Sequence, residues 1–199
     1  ANHLGTIVDS RDIRAVNAAS IRKQLNLDRG ELDLLSGGPP CQGFSINAPK
    51  RSTDDSRNHL FKEYLRFVKE FSPRAVLIEN VPGMVSFDDG ATLEAILDSL
   101  QALGYHSDVR ILYAPHFGVP QMRWRTLILG FQDKAALKNC FPLPLRAAPV
   151  RVNFTSKFDG KNLVSLPTSI SLPSHTTVKE ALHDLPKLLN GELGSPEKK

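Results

Sequence analysis

Hydrophobic positions along this 199-residue chain fall into two kinds of pattern. Short, nearly continuous apolar runs occur at Thr6 to Val8 ("TIV"), Leu32 to Ser36 ("LDLLS"), Ala75 to Glu79 ("AVLIE") and Thr126 to Gly130 ("TLILG"). Such runs suit strands buried on both faces of a parallel sheet. Between them the spacing becomes helical. "NHLFKEYLRFVKEF" sets Leu60, Tyr64 and Val68 four residues apart, flanked by Phe61, Leu65 and Phe71. "TLEAILDSLQALG" aligns Leu93, Ile96, Leu97, Leu100 and Leu103 on one stripe, with Gly104 as a C-terminal stop. Alternating strands and helices predict a doubly wound α/β sheet.

From Cys140 onward the texture changes. Half of the 14 prolines lie beyond it, and periodicity fades until "TTVKEALHDLP", a short helix ended by Pro186. Residues 141–175 read as extended, loop-rich chain covering the sheet, and the tail "NGELGSPEKK" reads as polar and loose.

Composition narrows the class only slightly. Hydrophobic residues are 41% and charged residues 23%, as in ordinary globular proteins. No run approaches the ~20 apolar residues of a membrane span, and the first residues lack the layout of a signal peptide. Two cysteines, Cys41 and Cys140, make no disulfide framework and point to a reducing compartment. The formal charge of +4 permits nucleic-acid binding without demonstrating it.

Candidate chemistry gathers where strands end, since ligands of doubly wound sheets sit beyond the carboxyl ends of the strands. "TIV" is followed by "DSRDIR", "LDLLS" by "GGPPCQGFS", and "AVLIE" by "NVPGM", while "QMRWR" precedes "TLILG". If that last strand runs antiparallel, all four segments converge on one cleft. In "GGPPCQGFS" two glycines allow a tight turn and two prolines stiffen it, so Cys41 is aimed rather than merely buried. Glu79, ending an apolar strand, is expected to be partly desolvated, which favours a neutral acid able to donate a hydrogen bond. Gln121, Arg123 and Arg125 alternate, which places all three on one face of a strand. Cys140, in "LKNCFPLP", has no such setting and reads as an inert thiol.

Together these segments resemble the carbon-5 cytosine methyltransferases of DNA. The resemblance rests on "GGPPCQGFS", "ENVPGM" and "GVPQMRWR", in family order, with supporting matches at "RDIRAVN", "DDSRNHLF" and "TTVKEALHDLP". It implies a Rossmann-like, S-adenosylmethionine-dependent methyltransferase sheet, with a partial catalytic domain over 1–140. The extension at 141–199 would lead toward a target-recognition region. It also implies roles. Cys41 would be the nucleophile at carbon 6, Glu79 the acid at ring nitrogen 3, and Asn80 a support for the loop. Arg125 would contact the cytosine carbonyl oxygen, and Arg123 the cysteine loop or a phosphate. Asp12, Ile13, Pro40 and Leu60 would line the S-adenosylmethionine pocket. Gln42, Ser45 and Gln121 would face DNA, whose target base is flipped out.

The chain departs from the family pattern in having no F-x-G-x-G turn and no recognition region. The family's first two strands, which lie between "TIV" and "LDLLS" in the sheet, are therefore expected to be missing. A fragment, or a split enzyme completed by a second chain, is the corresponding expectation. The remaining partner is double-stranded DNA, with no membrane, in bacterial cytoplasm or a eukaryotic nucleus. Two alternatives stay open: a related transfer-RNA cytosine methyltransferase, and a nucleic-acid-binding remnant without catalysis.

Overall fold

The computed structural model describes residues 9–39, 60–167 and 171–185. The "TIV" strand and the tail lie outside them, as do Pro40, Cys41, Gln42 and Ser45.

Four strands form the main sheet: β1 (Leu34–Gly37), β2 (Ala75–Asn80), β3 (His106–Tyr113) and β4 (Trp124–Phe131), in the order β1-β2-β4-β3. β1 and β2 run parallel, with Gly37 opposite Ile78. β4 runs antiparallel to both β2 and β3. The sheet is thus mixed rather than parallel, and the antiparallel condition for a single cleft is met. Burial on both faces is not general. β2 alternates, with Val76, Ile78 and Asn80 buried, and β1 lies at the edge of the sheet among the described residues, with Leu34 exposed. β3 shows no continuous apolar run in the sequence because Asp108 and Arg110 interrupt it. They pair with each other on the strand while Val109, Ile111 and Tyr113 are buried.

The helices follow their apolar stripes. α2 (Leu60–Phe71) buries Phe61, Tyr64, Val68 and Phe71, and α3 (Ala91–Ala102) buries Leu93, Ile96 and Leu100. Gly104 takes φ +88°, the left-handed stop that the sequence predicts for α3. The core joins these residues, Phe71 excepted, to Val76, Ile78, Ile111 and Ile128, and truncating one such leucine to alanine costs about 2–5 kcal/mol. A shorter helix, α1 (Ala18–Gln24), is capped by Asn17 and packs on α2. It buries only Ala18, so its sequence carries no stripe to read.

Beyond residue 140 the chain forms a two-residue hairpin, β5 (Lys157–Phe158) with β6 (Lys161–Asn162), and a four-residue helix, α4 (Val178–Ala181). This extension is fastened to β3: Ile111 N–H donates to Leu163 O (2.8 Å) and Ser165 N–H to Ile111 O (3.1 Å). Leu163 is buried and Phe154 and Phe158 pack on the core. Among the described residues no helix is long and apolar enough to cross a membrane.

Candidate active site

The carboxyl ends of β1 and β2 and the start of β4 meet at one edge of the sheet. Asn80 stands opposite Thr126 and Glu79 opposite Leu127, so Arg125 lies just beyond the end of β2. Its Nε forms an ion pair with Glu79 Oε1, and its Nη1 donates to Trp124 O (2.7 Å). The Glu79 side chain is 46% exposed and that of Arg125 22%. The wholly apolar surroundings expected for Glu79 are therefore replaced by a guanidinium on one carboxylate oxygen and the Gly38 backbone near the other. Pairs this exposed contribute at most about 1 kcal/mol to stability. The geometry, rather than the fold's energy, is what this pair supplies.

Asn80 is buried and joins two loops. Its Nδ2 donates to Pro39 O (3.1 Å), and its Oδ1 accepts from Val81 N–H (2.9 Å). The turn leaving β1 is thereby tied to the turn leaving β2. Gly38 runs close to the acid, since a Cβ there would stand 3.5 Å from Glu79 Oε2. A Cβ at that distance would be in ordinary van der Waals contact, so Gly38 lies beside the acid without closeness alone requiring glycine there. Neither Gly37 nor Gly38 has a positive φ.

Beside this turn lies a cavity of about 440 Å³ lined by Asp12, Ile13, Leu60, Tyr64, Phe67 and the end of β1. Its size falls within the range of small-molecule sites, roughly 300–1,000 Å³. Asp12 caps a 3-10 turn at Ile13–Ala15, accepting from Arg14 N–H (2.9 Å), Arg14 Nε (2.9 Å) and Arg14 Nη2 (2.6 Å). Those hydrogen bonds, the guanidinium's foremost, lower its carboxyl pKa to about 2. Arg66, from α2, donates through Nη2 to Ile13 O (2.8 Å) and pins the turn to the helix. The roles of Tyr64 and Arg66 come from contacts between elements, and that of Arg14 from a local turn, so none of these roles leaves a periodic signal in the sequence. Only the helical spacing of Tyr64 was visible, as a core position.

A larger depression, about 670 Å³, opens between α3 and the β5 turn. Asp89, Glu94, Asp98 and Asp159 face it against a single Lys157, a balance unsuited to a polyanion.

The remaining sequence candidates separate. β4 begins at Trp124, so strand alternation covers Arg125 but not Arg123 or Gln121. Arg123 is exposed, and Gln121 sits in a turn with its N–H donating to Val119 O (2.8 Å). Cys140 is a half-buried free thiol whose pKa is raised by burial and by Asp108, which is unfavourable for a nucleophile.

The profile of the C-5 cytosine-specific DNA methylases matches residues 1–190. The chain belongs to this family. It is 37% identical over 189 residues to the type II methyltransferase M.AgeI of Thalassovita gelatinovora, covering 93% of this chain and 42% of that protein. It is 32% identical to the type II methyltransferase M.AquIA of a Picosynechococcus strain, covering 91% of this chain and 71% of that one. Among solved structures it resembles a putative DNA modification methyltransferase encoded within an E. coli prophage, at a TM-score of 0.60 and 28% identity. That match covers 90% of this chain and 42% of the other. The sheet is accordingly part of the Rossmann-like methyltransferase fold. The methylase segment described here spans less than half the length of M.AgeI.

Proposed function

We propose that this segment carries the catalytic centre of an enzyme that methylates carbon 5 of cytosine in DNA, using S-adenosylmethionine. The observation that carries the reading is the junction of Asn80 with Pro39. It ties the chain leading to Cys41 to the strand that presents Glu79.

The residues fit the cofactor. A carboxylate at Asp12 beside the apolar side chains Ile13, Leu60 and Phe67 matches an amino-bearing aromatic ring. When bound, S-adenosylmethionine supplies an electrophilic methyl group. Asp12 would accept from the adenine amino group and Ile13 would pack on the ring beside Leu60, with Pro40 assigned to the same pocket by the family pattern alone.

The Cys41 thiolate adds to carbon 6 of a flipped cytosine, since sulfur is a strong nucleophile near neutral pH. Glu79 donates a proton to ring nitrogen 3 as that carbon–sulfur bond forms, so electron density collects at carbon 5. Arg125 stabilises the carbonyl oxygen, and its pairing with Glu79 holds both groups at one edge of the base. Once carbon 5 carries the methyl group, its proton passes to water, the carbon–sulfur bond breaks to release the Cys41 thiolate, and ring nitrogen 3 returns its proton to Glu79. Arg123 would meet the cysteine loop or a phosphate, and Gln42, Ser45 and Gln121 the DNA. Residues 1–140 would make the catalytic part, with 141–199 leading toward target recognition.

Covalent capture tests the reading. The protein as its source produces it is incubated with S-adenosylmethionine and duplex DNA whose cytosines are 5-fluorocytosine, which blocks release of the sulfur. An adduct that is absent in Cys41→Ser is expected. Adducts only with transfer RNA would move the substrate to RNA. Tight DNA binding with no adduct would leave a non-catalytic binding protein.

A further inference from the structure

Tyr64 links three parts of the molecule. Its single hydroxyl hydrogen is shared between Leu35 O in β1 (2.9 Å) and Leu77 O in β2 (3.2 Å), so one helix side chain spans both strands. Its ring faces the cofactor cavity together with Ile13 and Leu60. The same ring lies against the backbone of Gly37. A methyl group built on Gly37 would stand 2.6 Å from Tyr64 Cε2 and closer still to Cδ2. Because Gly37 has no positive φ, space is the reason for glycine at this position. The ring cannot yield cheaply, being buried and held at its far end by two carbonyls.

We propose that Tyr64 is a positioning residue coupling the two halves of the site. Its ring sets the path by which the chain leaves β1, and the same ring forms a wall of the cofactor cavity. The inference rests on the methyltransferase reading above. Without the hydroxyl anchor the ring can rock. The Gly37–Pro39 turn then shifts, and with it both the cavity wall and the root of the segment that reaches Cys41 two residues later. A purely structural tyrosine would lower stability on mutation without altering affinity in molecules that remain folded.

The test uses S-adenosylhomocysteine affinity by calorimetry, at a temperature well below each variant's measured melting point. Tyr64→Phe is expected to weaken binding about 3- to 10-fold, the loss typical of one hydrogen bond. Gly37→Ala is expected to weaken it more than about 10-fold, because close packing leaves the new methyl no room. In Gly37→Ala/Tyr64→Leu the shorter side chain makes room, and affinity should return to within about threefold of Tyr64→Leu alone. Unchanged affinity in Gly37→Ala, or a double variant as weak as the two single losses combined, would overturn the coupling. Lower melting points with unchanged affinities would do the same. A wild-type protein that binds no S-adenosylhomocysteine would overturn the cofactor reading and the coupling together, and that result precedes any substitution.

Discussion

Arg125 of β4 and Glu79 of β2 form an ion pair across antiparallel strands, at the edge where the β1 turn also ends. Each side chain limits where the other can point, so under the proposed function the two would act on a bound base as a unit. Glu79→Gln keeps the shape but loses the acid, and methyl transfer should fall by about 10²-fold or more. Arg125→Lys keeps the charge but loses the planar fork, so it should not behave as a conservative change. A double-mutant cycle on single-turnover rates checks this: the combined loss should be smaller than the product of the single losses. Independent effects would mean that the pair is incidental.

Asn80 makes a separate prediction through stability. Asn80→Ala leaves Pro39 O and Val81 N–H without their partner in a buried setting, which costs about 1–3 kcal/mol. Asn80→Asp retains the acceptor for Val81 N–H and loses the donor to Pro39 O. Urea denaturation should therefore show both variants destabilised, and S-adenosylhomocysteine binding should weaken in both. A stable Asn80→Ala with normal binding would mean that the two turns hold their places without it.

Much of this architecture is legible in the chain, and the illegible parts share a cause. α2 and α3 reveal themselves because their apolar residues recur at helical spacing, and β2 and β4 because their runs are long and uninterrupted. β3 hides because Asp108 and Arg110 satisfy each other on the strand rather than reading as a loop. The glycine pair was visible, but its reason was not. Gly37 is shaped by a ring arriving from α2, a contact between positions 27 residues apart in sequence. Likewise Glu79 and Arg125 could be placed at one edge by topology, whereas their direct pairing depends on strand register. Partners within one element leave a periodic trace; partners between elements leave none.

Asp12 and Arg14 predict a titration. Arg14 holds the Asp12 carboxyl at about 2, below the ordinary value of 3.8. A depressed folded value means that the stabilising contribution is present above the ordinary value and disappears as pH falls through about 2. Arg14→Met should therefore move the Asp12 carboxyl back toward 3.8, as followed by carbon NMR of the side chain. The cofactor consequence is separable: Asp12→Asn keeps the side chain's size yet should weaken S-adenosylhomocysteine binding, since it removes the anionic acceptor.

His116 makes the last prediction, in the turn between β3 and β4. It is fully buried, its ring stands edge-on to Tyr113 with centroids 5.2 Å apart, and both ring nitrogens lack a hydrogen-bond partner. They approach the backbone of Ala148 and Ser165 without reaching hydrogen-bond geometry. Its own carbonyl accepts from Leu145 N–H (2.8 Å) and Arg146 N–H (3.0 Å), which seats the extension on this turn. The Arg146 side chain reaches the other way, toward Ser174 O (3.5 Å). Burial lowers the histidine's pKa below 6.5, so the unfolded chain takes up this proton first on acidification. Stability should be complete above about 6.5 and decline as pH falls toward the folded value, by no more than about 1.4 kcal/mol per pH unit for one proton. His116→Phe keeps an aromatic ring against Tyr113 and removes the titrating group. Urea midpoints measured from pH 7.5 down to 5 should fall more steeply for wild type than for the variant. Parallel slopes would mean that His116 finds a partner for its proton within the fold.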